Sequence, residues 1–154
     1  MNLEQIIRDY LPQIQHMSLG TSKDNKPWVC EVHYAYDDNL NLYFRSLTSR
    51  RHSQEIAANP YVAGNIVKQH PLEVYPLGVY FEGQAQLLTT AAERQTVFPY
   101  IKEQLHQDEA VLEDAKNPEG HQFYKITVDN WYVFGKLDDT GGKKYELKWN
   151  GGKK

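Results

Sequence analysis

The sequence predicts a mainly β domain, a small closed or half-closed β-barrel with flanking helices, and three observations predict it. Aromatic residues are abundant, with 11 Tyr, 5 Phe and 3 Trp among 154 residues and a hydrophobic fraction of 40%, which marks a folded chain whose rings suit pleated surfaces. From Trp28, Cys30, Val32 and Tyr34 against Val29, Glu31, His33 and Ala35, side chains alternate with a period of two, the spacing of a strand. Polar clusters at Asp37-Asp38-Asn39 and Asn117-Pro118-Glu119-Gly120 separate such runs as turns would.

The chain opens with a helix. Asn2 and Gln5 form a capping pattern, Leu3, Ile6, Ile7, Tyr10 and Leu11 recur at helical spacing, and Pro12 marks the end. Met17 to Ser22, the turn Lys23-Asp24-Asn25-Lys26, and Pro27 to Tyr36 then read as a hairpin. Leu40 to Phe44 is the third strand. Thr48 or Ser49 caps a short helix from Arg50 to Ala58 that Asn59-Pro60 ends. Tyr61 to Val67 and Val79 to Leu88 are strands, and Gly83 inside the second predicts a bulge or a close neighbour. Thr90 and Glu93 form a capping box for a helix bearing Val97, Phe98, Ile101 and Leu105 on one stripe, with Pro99 predicting a kink or early break. Phe123 to Val128, Trp131 to Phe134 and Lys144 to Trp149 complete about seven or eight strands, enough for a small barrel. Residues 1–150 are expected to form one domain, and Gly151 to Lys154 a flexible tail.

Composition excludes several functions. A net charge of -3 argues against a protein devoted to nucleic-acid backbones. One cysteine, Cys30, leaves no internal disulfide and fits a reducing, cytoplasmic setting. No apolar run approaches the roughly 20 residues of a membrane-spanning helix. The six histidines show no metal-ligand spacing, so no metal is expected. There is no nucleophile elbow, and Cys30 reads as a small strand hydrophobe.

The stretch Leu47 to Pro60, LTSRRHSQEIAANP, carries a local conflict. Arg50, Arg51 and His52 occupy the first turn of a helix, where positive side chains oppose the macrodipole at about 0.3–1 kcal/mol each. With Arg45, Ser46, Thr48 and Ser49 nearby, guanidinium groups, hydroxyls and helix-end N–H groups could converge on an anion such as phosphate. The alternative is a solvated basic turn whose arginines pair with Glu55 or another acid. The strand Pro27 to Tyr36 adjoins this segment, so a flat ring along its backbone with a phosphate at the helix would suit a flavin mononucleotide; ordinary sheet packing explains the same residues.

The run Met17 to Val67, MSLGTSKDNKPWVCEVHYAYDDNLNLYFRSLTSRRHSQEIAANPYVAGNIV, resembles the amino-terminal half of the pyridoxamine 5'-phosphate oxidase-like, FMN-binding split-barrel family. The matching features are the hairpin, the acidic turn before an LYF strand, and the S/T-R-H/K-x-x-x-I-x-x-N-P segment. Phe81 to Ala85 and Trp131 to Lys136 continue the resemblance. It implies a six-stranded split barrel and a homodimer with FMN at the subunit interface, acting on a small molecule without nucleic acid or membrane. It implies Arg51 and His52 as phosphate ligands, His52 standing where many members have lysine, with Ser46, Thr48, Ser49 and Arg50 around them. Val29, Cys30, Glu31 and Val32 match the stretch along the flavin ring. Trp131 and the Phe134-Gly135-Lys136 turn match the partner subunit's contribution, and Glu31 or His33 could supply protons if they face the ring. Arg50 departs from the family's usual serine or threonine. No arginine follows Arg94, whereas full pyridoxamine 5'-phosphate oxidases carry an arginine-rich end, so the resemblance implies flavin binding and not vitamin B6 oxidation. A flavin or haem carrier without turnover, or a deazaflavin reductase, are the other readings of the same cleft.

Overall fold

The computed structural model describes residues 1–138 and 141–153. Its described strands lie in one antiparallel sheet in the order β2-β1-β5-β6-β7-β4-β3, with β8 also pairing with β7. These strands are β1 His16–Lys23, β2 Lys26–His33, β3 Ala35–Tyr36, β4 Leu42–Ser46, β5 Tyr61–Val67, β6 Gly78–Leu87, β7 Gln122–Gly135 and β8 Lys143–Lys148. The flanking helices are α1 Leu3–Tyr10, α2 Arg51–Ala58, α3 Ala91–Leu105 and α4 Ala110–Lys116. The expected mainly β class is present; the eight described strands agree with the seven or eight read from the residues and exceed the six that the resemblance implies.

Local chemistry explains most elements. Asn2 Oδ1 accepts from the Gln5 amide at 3.1 Å and starts α1. A 3-10 turn, Leu11–Gln13, carries Pro12 past the helix end. Residues Asp24 and Asn25, at φ 51° and 62°, close the β1–β2 hairpin in the doubly left-handed turn that suits strand twist. The second strand ends at His33 and a separate short strand, Ala35–Tyr36, follows it; at the junction the Tyr34 amide still donates to Gln15 O, its in-register neighbour, at 3.1 Å, while its hydroxyl donates to Leu11 O at 2.9 Å. Leu40 does not begin β4. It sits at φ 58° in a turn held by Asp37, whose carbonyl accepts the Leu40 amide at 2.9 Å.

Gly83 meets both expectations. The β6–β7 register shifts between Glu82 and Gly83, and a Cβ there would collide with the Thr127 carbonyl oxygen. The same shift passes over Asp129, since Gly83 pairs with Val128 and Glu82 with Asn130. The segments expected as two strands, Phe123 to Val128 and Trp131 to Phe134, are therefore one strand with a bulge. Its first half pairs with β4 and its second half with β8. The Thr90–Glu93 capping box opens α3, which runs through Pro99 to Leu105 without the early break. Asn150–Gly152 form a 3-10 turn in which the Gly152 amide donates to Trp149 O at 2.9 Å.

The sheet curls so that its edge strand β2 approaches β4, the neighbour of the opposite edge strand β3, without pairing with it. On β4, Leu42 and Phe44 face a core that includes Ile7, Leu19, Ile66, Phe81 and Trp131. Tyr43 faces the opposite way, with Val97, Phe98 and Ile101 of α3 and Val111 and Leu112 of α4. The alternation carries through the end of the strand, so Arg45 follows Tyr43 toward the helices and Ser46 follows Phe44 toward α2.

Candidate functional site

The split between β2 and β4, closed at one end by α2, contains a groove of about 690 Å³, within the roughly 300–1,000 Å³ of small-ligand sites. Of the residues singled out in the sequence, Cys30, Glu31, Val32, Ser46, Arg50, Arg51 and His52 line it. Each arrives by a stated route: β2 supplies the first three, the last residue of β4 gives Ser46, and the first turn of α2 brings the cations.

The helix starts later than expected. Arg50, not Thr48 or Ser49, is the N-cap residue of α2, and no side chain caps it. The reason is the tight turn before it, in which the Arg50 amide donates to Leu47 O at 3.2 Å and holds Thr48 and Ser49 outside the helix. Both are exposed and neither lines the groove. Val29 is 63% exposed and opens on a second groove with Trp28, Tyr61 and Ala63. Trp131 is fully buried, edge-on to Phe81 with ring centroids 5.9 Å apart. The structure brings the remaining seven together and places these four elsewhere.

The conflict at the helix start resolves residue by residue. The Nε of Arg51 donates to Glu55 Oε2 at 2.7 Å, and its guanidinium lies over the Trp28 ring at 4.3 Å. Glu55 is buried and also accepts from Thr21 Oγ1 at 2.9 Å; the Arg51 hydrogen bond is the first reason its pKa lies below the ordinary carboxylate value. His52 is buried, with Nε2 2.7 Å from Ser46 Oγ. Burial first, and then the charge of Arg50, push its pKa down, while Glu55 opposes them, so the imidazole is held toward its neutral form. Arg50 is exposed and has no ion pair among the described residues. The pairing with Glu55 anticipated as the alternative is thus present for Arg51, yet only through Nε. Its two terminal nitrogens form no hydrogen bond among the described residues.

Along β2, burial and then the Glu31 charge raise the Cys30 pKa, keeping it a thiol and not a nucleophile. Glu31 is tied to β1, bonding His16 Nδ1 at 3.0 Å and Ser18 Oγ at 3.0 Å. The groove also takes in His33 and Arg45, which the sequence offered only as a possible proton donor and as a neighbour of the basic segment, and Trp28, Leu105, Gln107 and His121, which it did not mark as site residues. At the end of the groove away from α2, Asp114 Oδ2 accepts from Arg45 Nη2 and from the His121 amide, each at 3.0 Å, and lies 3.4 Å from His121 Nδ1. Asp114 belongs to α4, a helix without a sequence signal, which explains why this wall was missed. Arg45 was visible only as a neighbour of the basic segment. No group of three or more His, Cys, Asp or Glu side chains among the described residues is placed to hold a metal ion.

Comparison with known proteins places this geometry in context. The family model described as pyridoxamine 5'-phosphate oxidase matches residues 3–135. A UPF0306 protein of Yersinia pestis is 27% identical over 90 residues, covering 58% of this chain and 61% of the relative, so the match spans less than two thirds of that protein. Among solved structures, a candidate pyridoxamine 5'-phosphate oxidase from Listeria innocua superposes with TM-score 0.66 at 21% identity, covering 86% of this chain and 98% of the other. A heme binding protein from Mycobacterium smegmatis superposes with TM-score 0.68 at 13% identity, covering 90% of this chain and 54% of the other. At these identities the structures show a shared split-barrel fold.

Proposed function

Because the chain belongs to the pyridoxamine 5'-phosphate oxidase family, we propose that its groove binds FMN and that the protein is a flavin-dependent oxidoreductase acting on a small molecule. The observation that carries this reading is the pairing of a cationic end, the exposed Arg50 and the terminal nitrogens that Arg51 keeps outside its Glu55 bond, with the edge strand β2 in one groove. A phosphate monoester suits the first, since forked donors and a helix start complement its oxygens. A flat ring system suits the second. In this reading Ser46, Arg50, Arg51 and His52 hold the phosphate, with Thr48 and Ser49 in the loop beside it. The backbone from Val29 through Cys30 and Glu31 to Val32 orients the ring. Trp131 stays in the core and takes no part.

Bound FMN supplies the electron transfer; the chain's part is to bind, orient and limit water. The groove is open on one side, and Trp28, Val29 and Tyr61 leave an apolar face beside it, 40%, 63% and 64% exposed. A second copy of the chain covering that face would complete the site, giving a homodimer with FMN at its interface. A free thiol at Cys30 fits a cytoplasmic setting, and no helix among the described residues is long and apolar enough to cross a membrane.

The test is an absorbance spectrum of the purified protein followed by the mass of the released ligand. Flavin absorption and the mass of FMN support the reading, and a deazaflavin is told apart by its mass. Anaerobic reduction by a nicotinamide cofactor then separates an enzyme from a carrier. A second reading, haem binding, is favoured by His33, His52 and His121 lining the groove and by the fold shared with the Mycobacterium smegmatis protein. A Soret band with bound iron would replace FMN by haem.

A further inference from the structure

We infer that Glu55, together with Trp28, is the positioning group of the anion grip, fixing the Arg51 guanidinium so that its terminal nitrogens are left for an anion in the groove; this rests on the phosphate site proposed above. Three observations carry it. The carboxylate is the buried member of the pair, with 7% of its side chain exposed against 47% for Arg51. An ion pair serving only helix solubility would not be buried. The order along the helix is also the unfavourable one. Arginine precedes glutamate by four residues, the reverse of the arrangement that the macrodipole favours, so the pair supports α2 less than the opposite order would. Finally, the clamp is built from the sheet: Thr21 of β1 holds Glu55 at 2.9 Å, and Trp28 of β2 lies 4.3 Å beneath the guanidinium. Glu55 shares the helix that bears Arg51 but is held from β1 through Thr21, and Trp28 reaches the guanidinium from β2.

The contact geometry decides what such a clamp can do. A carboxylate that took both terminal nitrogens would consume the fork that recognises phosphate. Here Glu55 takes Nε alone, at 2.7 Å, and fixes the plane of the guanidinium. The pair is nearly neutral as a whole. Arg51 then recognises an anion by the direction of its remaining N–H groups, while Arg50 supplies the net charge.

The experiment compares FMN with riboflavin, which lacks the phosphate, by fluorescence titration of the wild type, Glu55→Gln, Arg51→Ala and the double variant. Glutamine keeps the volume and an oxygen for Thr21. Glu55→Gln is expected to weaken FMN binding about tenfold, as is Arg51→Ala, with riboflavin unchanged and the double variant no weaker than Arg51→Ala. Unchanged or tighter FMN binding by Glu55→Gln, or an equal loss for riboflavin, overturns the inference. If Glu55→Gln does not fold, as judged by a urea transition, Trp28→Leu tests the other half of the clamp, with a larger loss for FMN than for riboflavin expected and equal losses overturning it. A wild type that binds neither flavin overturns the flavin reading alone. The same variants are then titrated with inorganic pyrophosphate, where a loss in Glu55→Gln supports the positioning role and no loss removes it.

Discussion

Ser46 Oγ and His52 Nε2 stand 2.7 Å apart, joining the last residue of β4 to the first turn of α2. The ring of Phe44 lies beside them, its centroid 6.2 Å from that of His52. This bond closes the inner end of the groove with an imidazole that burial disfavours in its charged form. Burial and the Arg50 charge lower the His52 pKa from 6.5. The unfolded chain therefore takes up its proton at a higher pH than the folded one. The stability contributed is complete above about pH 6.5 and is lost as the pH falls through the folded value. His52→Gln is expected to flatten the fall in urea midpoint between about pH 7.5 and 5, measured without added anion. A variant slope as steep as the wild type would assign the acid sensitivity elsewhere.

Arg50 and Arg51 should separate cleanly. Arg50 is exposed and unpaired among the described residues, so Arg50→Ala should change unfolding free energy by less than about 0.5 kcal/mol. Its effect on FMN affinity should be a loss of several-fold at low ionic strength that shrinks toward 0.5 M salt, where screening is within about 4–5 Å. Paired chemical denaturation and titration at two salt concentrations check both.

Gly83 has no room for a side chain, since a Cβ would collide with the Thr127 carbonyl across the bulge. Gly83→Ala should cost about 1–3 kcal/mol through forced separation of β6 and β7. A guanidinium unfolding curve with an unchanged midpoint would show that the strand pair relaxes freely.

Asp37 organises the turn before β4. Its Oδ1 accepts from the Asn39 and Asn41 amides at 2.9 and 3.0 Å, and its Oδ2 from Asn41 Nδ2 and the Tyr43 hydroxyl at 2.8 and 2.7 Å. Asn41 and Tyr43 are buried, so Asp37→Ala leaves donors without partners. A loss on the order of 3 kcal/mol is expected by thermal or urea unfolding.

What the sequence revealed followed locality. Capping at Asn2 and Thr90, the β1–β2 turn and the steric demand at Gly83 were legible because each depends on a few neighbouring residues. The break expected between Val128 and Trp131 falls on Asp129-Asn130, residue types that usually turn the chain. Here β6 on one side and β8 on the other hold it extended as a bulge. Seven-residue α4 has Glu109 as its N-cap without a side-chain cap bond and shows no long amphipathic pattern. Its place depends on Val111 and Leu112 packing against α3 and β4, which no local window contains. The site divides in the same way. Its β2 and α2 residues lie in one continuous stretch of sequence, whereas Gln107 and His121 come from distant segments. Trp131 shows the limit of position matching, because a strand residue's match to a family pattern does not tell which face it occupies.

The long strand β7 has a consequence for how the molecule assembles. Arg45 and Ser46 acquire their ladder partners, Phe123 and Gln122, only from a segment more than 70 residues later. The basic residues at 45–52 are therefore made early and seated late. During synthesis, a chain released from the ribosome before β7 has emerged would expose the cationic turn without its strand support. Ligand capture should thus appear as a late event in refolding, following β6–β7 pairing, and amino-terminal fragments ending before Gln122 should lack the groove although they contain nearly all the residues that give it charge.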